Sequence, residues 1–260
     1  MTATIAIDTA APDFTQIDFR HIDFSGVDTR LHPIQAWRAF RRLMANPGDT
    51  REVFTIFRAL RGASGLQSFR RFAASAAGAG LLARRPSLIA ALNDRAALAR
   101  LPEGSMGRAY LAFMEEENLS ADGLVEASRT ADWDTDVVPP EMDFFRARMR
   151  DAHDLTHILT GYGRDPLGEL SLLTFMYRHT RNLGMIFMVA MSWLRLPKAA
   201  RAAVKEGWRN GAKATWFQNL DFEALLGRNL AEVRAELGIA PPKAYQALRT
   251  PAYSAMTTAA

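Results

Sequence analysis

Residues 153–169 read HDLTHILTGYGRDPLGE, and this stretch decides how the rest of the chain is read. It has the form helix, turn, helix. An apolar-periodic run reaches Thr160, Gly161-Tyr162-Gly163 stops it, and Pro166 opens a second helix. At about 100° per residue, His153 and His157 stand about 40° apart on one face, one turn from each other. Asp154 falls on the edge of that face. Glu169 falls in the first turn of the returning antiparallel helix, from where its carboxylate can come back to the two imidazoles. The chain has only five His, so two at this spacing concentrate the signal.

Two imidazoles one turn apart can bind one ion through adjacent turns, as in the zinc helix HExxH. A carboxylate from the next helix completes a set of two His and one or two carboxylates with positions open for water or substrate. Zinc and ferrous iron both accept such a set. Asp154 is a fourth ligand, a residue that orients a His, or a base. Two readings compete: a chance pair of His on a helix, and an HD-type phosphohydrolase. The second needs a separate upstream His, for which only His21 and His32 are available.

Working outward, Val138-Pro139-Pro140-Glu141 predicts a helix start, with the helix running to about Thr160. The helix opened by Pro166 is predicted to reach about Leu196, where Pro197 stops it. A further helix covers roughly 198–219, and Asn229–Leu237 makes a last short one, ended by Gly238 and Pro241-Pro242. Upstream, Ile34, Trp37, Phe40 and Met44 share one helix face, opposite Arg38, Arg41 and Arg42. Asn46-Pro47-Gly48-Asp49 breaks that pattern, and Val53, Phe57 and Leu60 form the next stripe. Residues 65–100 are Ala-rich with a break near Arg85-Pro86. Ser105 is a plausible N-cap for a helix through Tyr110, Phe113 and Met114 to about Asn118. No alternating strand pattern is found. The fold class is all-α: a single multi-helix domain over 33–250, an N-terminal arm at 1–32 and a tail at 251–260.

In the arm, Asp recurs every five residues from Asp8 to Asp28, with Phe14, Phe19 and Phe24 following three of them. Three units are too few for a solenoid. The arm reads as extended chain that packs its Phe and Ile side chains on the main body or on a partner. The run 183–196 is strongly apolar but meets Arg181, His179 and Arg178 on its N-terminal side, so it reads as a buried or membrane-lying helix rather than a spanning one.

The 260 residues are 48% apolar and 23% charged, ordinary globular composition. The absence of cysteine excludes disulfides, thiolate metal sites and cysteine nucleophiles. Net charge is +4, and only Lys198, Lys205, Lys213 and Lys243 of the 32 basic residues are lysine. An Arg-heavy surface suits anionic lipid, carboxylate or phosphate partners; no nucleic-acid motif is visible. The N-terminus has neither the basic start nor the apolar run of a secretory signal, which predicts a cytoplasmic protein.

His153-Asp154-x-x-His157, eleven residues, then Glu169 resembles the HDxxHx11E signature of the coenzyme Q biosynthesis protein four family. Other stretches are similar to it as well: Leu101-Pro102-x-Gly104-Ser105-x-Gly107-Arg108-x-Tyr110, then Arg148, Arg150 and Asp151, then Asn210-Gly211-x-x-Ala214, Asn219-Leu220 and the run from Leu230 to Pro242. The resemblance covers about residues 33–245. Phe144 and Met149 depart from it where tyrosines are expected, and the segment after Glu169 lacks the family's acidic and Gln positions.

The resemblance implies an all-helical, often dimeric protein that associates peripherally with a membrane, here its inner face. It implies one divalent metal at His153, Asp154, His157 and Glu169, with zinc first and iron or magnesium as alternatives. It further implies an apolar tunnel for a prenylated aromatic or isoprenoid lipid, and work alongside other ubiquinone-biosynthesis enzymes. The activity implied is replacement of the ring carboxyl of a prenylated 4-hydroxybenzoate-type intermediate by a hydroxyl, with Asp154 as a proton carrier. The alternative is a non-catalytic lipid-binding organiser of the biosynthetic complex. Met176, Leu183, Met185, Ile186, Phe187, Met188 and Met191 follow the expected ligands and suit an irregular lipid tunnel or an ordinary core. Arg150, about 60° from His153 around the helix, is the expected contact for a substrate carboxylate, with a surface salt bridge as the alternative.

Overall fold

Polar residues at helix entrances set where most elements begin. Asp49, Ser75, Ser87, Asp94, Asp165, Asn182, Asp221 and Asn229 each accept a backbone N–H from the first turn of the helix that follows. The structure is a computed structural model and describes residues 22–46, 48–116 and 137–248. The chain runs α1 (Pro33–Ala45), α2 (Thr50–Ala59), α3 (Ser64–Ala73), α4 (Ala76–Arg84), α5 (Leu88–Asn93), α6 (Arg95–Ala99), α7 (Met106–Glu116) and α8 (Pro140–Asp151). It continues through α9 (His153–Thr160), α10 (Pro166–Thr180), α11 (Leu183–Trp193), α12 (Lys198–Lys213), α13 (Phe222–Leu225), α14 (Leu230–Glu236) and α15 (Lys243–Leu248). Among the described residues there is no strand; one isolated antiparallel bridge joins Ser105 to Asn229. The all-α expectation holds.

Several boundaries differ from the sequence reading, each for a physical reason. The helix expected over 140–160 breaks at Ala152, whose ψ of 0° leaves the helical path and separates α8 from α9. The helix expected over 166–196 divides at Arg181, which takes a left-handed φ of 58°. Asn182 then caps α11 with its Oδ1 on the Gly184 N–H and donates its Nδ2 to the Phe57 carbonyl of α2, so a contact 125 residues away fixes the break. α12 ends at Lys213 rather than near 219, because the Thr215 N–H turns away to the Leu237 carbonyl. Pro241-Pro242 opens α15 instead of closing the fold, as the Gln246 N–H returns to the Pro242 carbonyl.

Three apolar clusters hold the helices together. The largest gathers α5, α6, α7, α9, α10, α12 and α14 around Met106, Tyr110, Leu155, Leu159, Leu172 and Phe175. Each side chain of this size contributes about 1.5–3 kcal/mol when fully buried. A second joins α3, α4 and α8 around Phe69, Phe72 and Phe145. Ile22, Phe24 and Val27 pack onto this cluster, with the Phe24 ring 5.7 Å from Phe69, so residues 22–27 of the arm do lie on the main body. Residues 1–21, the expected helix end near Asn118 and the tail 251–260 lie outside the described residues.

The third cluster joins α1, α2 and α11. Here the face of α1 differs from expectation. Ala36, Ala39 and Leu43 are buried, while Ile34 is 68% exposed, Trp37 48% and Met44 45%. The small residues allow α1 to approach α2 closely, and the larger apolar residues are left outward. α11 is similar: of its eleven residues only Gly184 and Val189 are buried. Among the described residues no helix is long and apolar enough to cross a membrane.

Candidate metal centre

α9 and α10 form the hairpin that the sequence predicts, and long-range bonds hold its turn. Gly161 ends α9 at a φ of 75°, its N–H returning to the His157 carbonyl. The last carbonyls of α9 have no partner within the helix. Arg234 of α14 supplies one: its Nε donates to the Leu159 carbonyl at 3.0 Å and a terminal N–H to Ile158 at 2.6 Å. Asp165 starts α10 by accepting the Leu167 and Gly168 N–H groups, with Pro166 in the first turn. Tyr245 of α15 clamps both sides of the turn. Its hydroxyl donates to the second Asp165 oxygen and accepts the Gly163 N–H at 2.9 Å. Glu169 therefore leaves a turn of α10 whose start is fixed by a residue 80 positions away.

Within this frame His153, His157 and Glu169 each offer one ligand atom, and these atoms all lie within 4.8 Å of one another. The two Nε2 atoms are 3.2 Å apart, and His157 Nε2 is 3.5 Å from Glu169 Oε1. His157 Nδ1 faces the Tyr162 carbonyl at 3.0 Å. A carbonyl oxygen only accepts, so Nδ1 carries the proton, and in the neutral form of the ring the Nε2 lone pair faces the cluster. A metal-bound His commonly makes this second bond to a backbone carbonyl. Ligand atoms about 2.1 Å from a shared ion at tetrahedral angles stand about 3.4 Å apart. The observed 3.2 and 3.5 Å fit that spacing. Phe113 of α7 stacks on the His157 ring with centroids 6.0 Å apart and covers one side.

The electrostatics set the two imidazoles apart. Burial lowers the pKa of His153, and the charge of His157 lowers it further, against Glu169 and Asp154. Burial also opposes a charged His157, but the hydrogen bond and charge of Glu169 outweigh it and the net shift is upward. Burial likewise opposes an ionised Glu169, and the His157 bond, both imidazoles and Arg164 outweigh that, so its carboxyl sits below the ordinary glutamate value.

Asp154 stands outside the three-residue cluster, half-buried on the edge of the face, close enough for its charge to act on both imidazoles. Arg150 donates its Nε to Asp151 at 2.9 Å. Arg148 is buried and grips Glu223 with two N–H groups at 2.8 and 2.6 Å, tying α8 to α13. Arg164, in the turn, is the exposed cation whose charge reaches His153 and Glu169. Sequence reading did not single out Arg164, although it lies inside the opening stretch. Tyr162, Tyr245 and Arg234 carried no local signal for this site, since what they touch is decided by the fold. His32 pairs with Asp28 at 2.7 Å beside α1, so among the described residues no upstream His joins the cluster. His21 lies outside the described residues.

Comparison with known proteins agrees with the resemblance in the sequence. A family profile described as "Coenzyme Q (ubiquinone) biosynthesis protein Coq4" matches residues 39–243. The human protein named "Ubiquinone biosynthesis protein COQ4 homolog, mitochondrial" is 32% identical over 177 residues, covering 66% of this chain and 64% of its own length. The zebrafish (Danio rerio) protein of the same name is 29% identical over 170 residues, covering 64% of this chain and 60% of its own. The matched part of the chain thus spans under two thirds of the length of these relatives. A crystal structure from Nostoc punctiforme PCC 73102, described as of a ubiquinone biosynthesis protein, has a TM-score of 0.55 at 20% identity. It covers 81% of this chain and 99% of its own, and shows that the fold is shared. With the profile spanning most of the helical domain, the chain belongs to the coenzyme Q (ubiquinone) biosynthesis protein Coq4 family.

Proposed function

We propose that His153, His157 and Glu169 hold one divalent metal ion. We propose further that the protein serves ubiquinone biosynthesis by replacing the ring carboxyl of a prenylated 4-hydroxybenzoate-type acid with a hydroxyl. Zinc is the first candidate by resemblance, and iron and magnesium are the alternatives. The observation that carries the reading is the convergence of two imidazole Nε2 atoms, 3.2 Å apart, on a half-buried carboxylate, with His157 Nδ1 committed to a carbonyl. Two neutral rings so placed repel through their lone pairs unless a proton or a cation lies between them. A bound ion supplies a Lewis-acidic point for the phenolate or carboxylate of the head group.

The remaining work falls to the chain's own side chains. Glu169 stays ionised and offsets the positive charge of the site. Arg164 draws an anionic head group to the exposed side. Arg150, which donates its Nε to Asp151, is the second anion contact. Asp154 is the carboxylate at hand to move a proton to or from the ring carbon that loses carbon dioxide. Loss of the carboxyl with gain of a hydroxyl is a two-electron oxidation of the ring. With dioxygen as oxidant one oxygen atom enters the ring and the other leaves as water, which takes two electrons and two protons from a reductant. The prenyl tail follows the Met-rich run from Met176 to Met191. Other ubiquinone-biosynthesis enzymes, a second copy of the chain and the inner face of a membrane complete the set of proposed partners.

The test is elemental analysis with mass spectrometry of extracted lipid, for the wild type and for His157→Ala and Glu169→Ala. One metal per chain in the wild type, lost in both variants, together with an aerobic hydroxylated product from the wild type only, is the expected result. Metal retained in both variants would sink the site. Metal lost in the variants but no product from any protein would leave an organiser that binds lipid without transforming it.

A further inference from the structure

A second charged feature lies away from the hairpin ligands. A cleft of about 400 Å³ opens between the end of α11 and α12, lined by Trp193, Lys198, Arg201, Lys205, Glu206 and Arg209 among others. The four cations recur at three- and four-residue steps and so fall within about 80° of one another on α12. Among the described residues none of the four forms an ion pair. Glu206, the one carboxylate lining the cleft, turns an oxygen away to accept the Ala244 and Tyr245 N–H groups at the start of α15. The Arg201 guanidinium and the Lys205 ammonium lie 5.5 and 5.7 Å from the Trp193 ring, and Arg201 Nε is buried without a hydrogen-bond partner. Such a surplus of cations with an orphaned donor fits a phosphorylated anion.

The neighbouring surface says which anion. α11 and its C-cap carry Leu183, Ala190 and Leu194 within about 40° of one another. All three are exposed, Leu183 by 43% and Leu194 by 85%. Leu194 directly follows Trp193, so the apolar stripe runs to the mouth of the cleft. Phe187 on the same side of α11 meets Phe40 edge-on at 5.5 Å, and Phe40 stacks on the half-exposed Trp37 at 5.8 Å. The stripe thereby continues through Trp37 to Ile34 of α1. Exposed Arg38 and Arg41 fall within about 40° of Ile34 on α1, and exposed Arg195 directly follows Leu194. An exposed apolar strip with an aromatic residue, edged by cations, is the composition of a surface that lies in the head-group region of an anionic bilayer. A free phosphate would account for the cleft but not for the strip.

We propose that the cleft of Trp193, Arg201 and Lys205 takes the phosphate of an anionic membrane lipid, while Leu183, Ala190 and Leu194 of α11 and Ile34 and Trp37 of α1 rest on the acyl boundary. This deepens the membrane part of the proposed function by naming the face and the head-group chemistry. It is independent of the metal centre, since metal content reads one and vesicle binding the other.

The test is co-sedimentation of the full-length protein with vesicles of phosphatidylcholine alone, or with about a third phosphatidylglycerol, at about 0.1 M salt. Binding is expected to the anionic vesicles and to weaken as salt rises. Lys198→Gln with Lys205→Gln, both exposed, should weaken it about tenfold or more, since each cation near an anionic surface contributes about fivefold. Leu194→Ser should weaken it as well, and Arg201→Gln serves as a third variant. Metal content should be unchanged in all of them. Equal binding to both vesicle types overturns the proposal, as does unchanged binding in the lysine and Leu194 variants. Inorganic phosphate bound at the cleft by a protein that ignores vesicles also overturns it, in favour of a free anion.

Discussion

At the scale of single residues, the candidate centre depends on side chains that never touch it. Tyr245 is fully buried, and its hydroxyl joins Asp165, which starts the helix bearing Glu169, to the Gly163 N–H across the turn. Tyr245→Phe keeps the ring against Tyr162, 5.5 Å away, and removes only that link. Loss of a group that orients metal ligands typically weakens metal affinity 10- to 100-fold. The Gly163 N–H would also lose its partner, at about 1–3 kcal/mol. We therefore expect Tyr245→Phe to remain folded and to bind zinc about 10- to 100-fold more weakly in a chelator competition. Unchanged affinity would show that the turn holds Glu169 without Tyr245. The candidate ligands themselves were legible because their relation is local: one helical turn and one short hairpin place all three. Tyr245, Arg234 and the carbonyl of Tyr162 were not, because nothing in their own neighbourhoods points to residues 153–169.

At the scale of elements, the returning helix α10 is positioned as much by its partner α12 as by its cap. Gly207 of α12 sits where an added Cβ would lie 2.2 Å from the Ser171 carbonyl oxygen and 2.6 Å from Thr174 Oγ1. Thr174 meanwhile donates to the Ser171 and Val204 carbonyls, so its hydroxyl is not free to swing aside. Backbone pressed on backbone leaves little to relax, and overpacking of this kind costs about 1–3 kcal/mol or more. Gly207→Ala is expected to lower the unfolding free energy by that amount, seen as a lower denaturant midpoint at constant slope. Any larger effect on metal binding than on stability would show that α12 sets the height of Glu169. The helical periods, the proline starts and the Asx and Ser caps made most elements readable in advance. What failed was the continuity of 166–196, where the apolar run hides a break made by Arg181 and by the bond from Asn182 to α2. The outward face of α1 failed for a related reason. Periodicity identifies an apolar face, but here the small residues Ala36 and Ala39 pack inward and the larger ones face out.

At the scale of the whole molecule, one buried imidazole ties stability to pH. His179 closes α10, is only 7% exposed, and lies between the Phe175 and Phe217 rings, with centroids 5.0 and 4.5 Å away. Its Nε2 has no hydrogen-bond partner. Burial, then the charges of Arg71, Arg178 and Arg181, push its pKa down to about 4. The unfolded chain returns it to about 6.5. Between these values the unfolded state binds the extra proton and the fold does not, so stability rises with pH across this window and falls as acid is added. The full difference, about 2.5 pH units, corresponds to about 3 kcal/mol lost on going from above pH 6.5 to pH 4. His179→Phe fills the same slot between two aromatic rings and cannot titrate. Unfolding free energies measured from pH 4 to pH 7.5 should therefore fall less steeply for the variant, the two curves diverging by about 3 kcal/mol at the acid end. Carboxylates and the ligand histidines titrate equally in both proteins and cancel in the comparison. Parallel curves would mean that His179 takes up its proton inside the fold, with α10 opening at its C-terminal end to let water reach the ring.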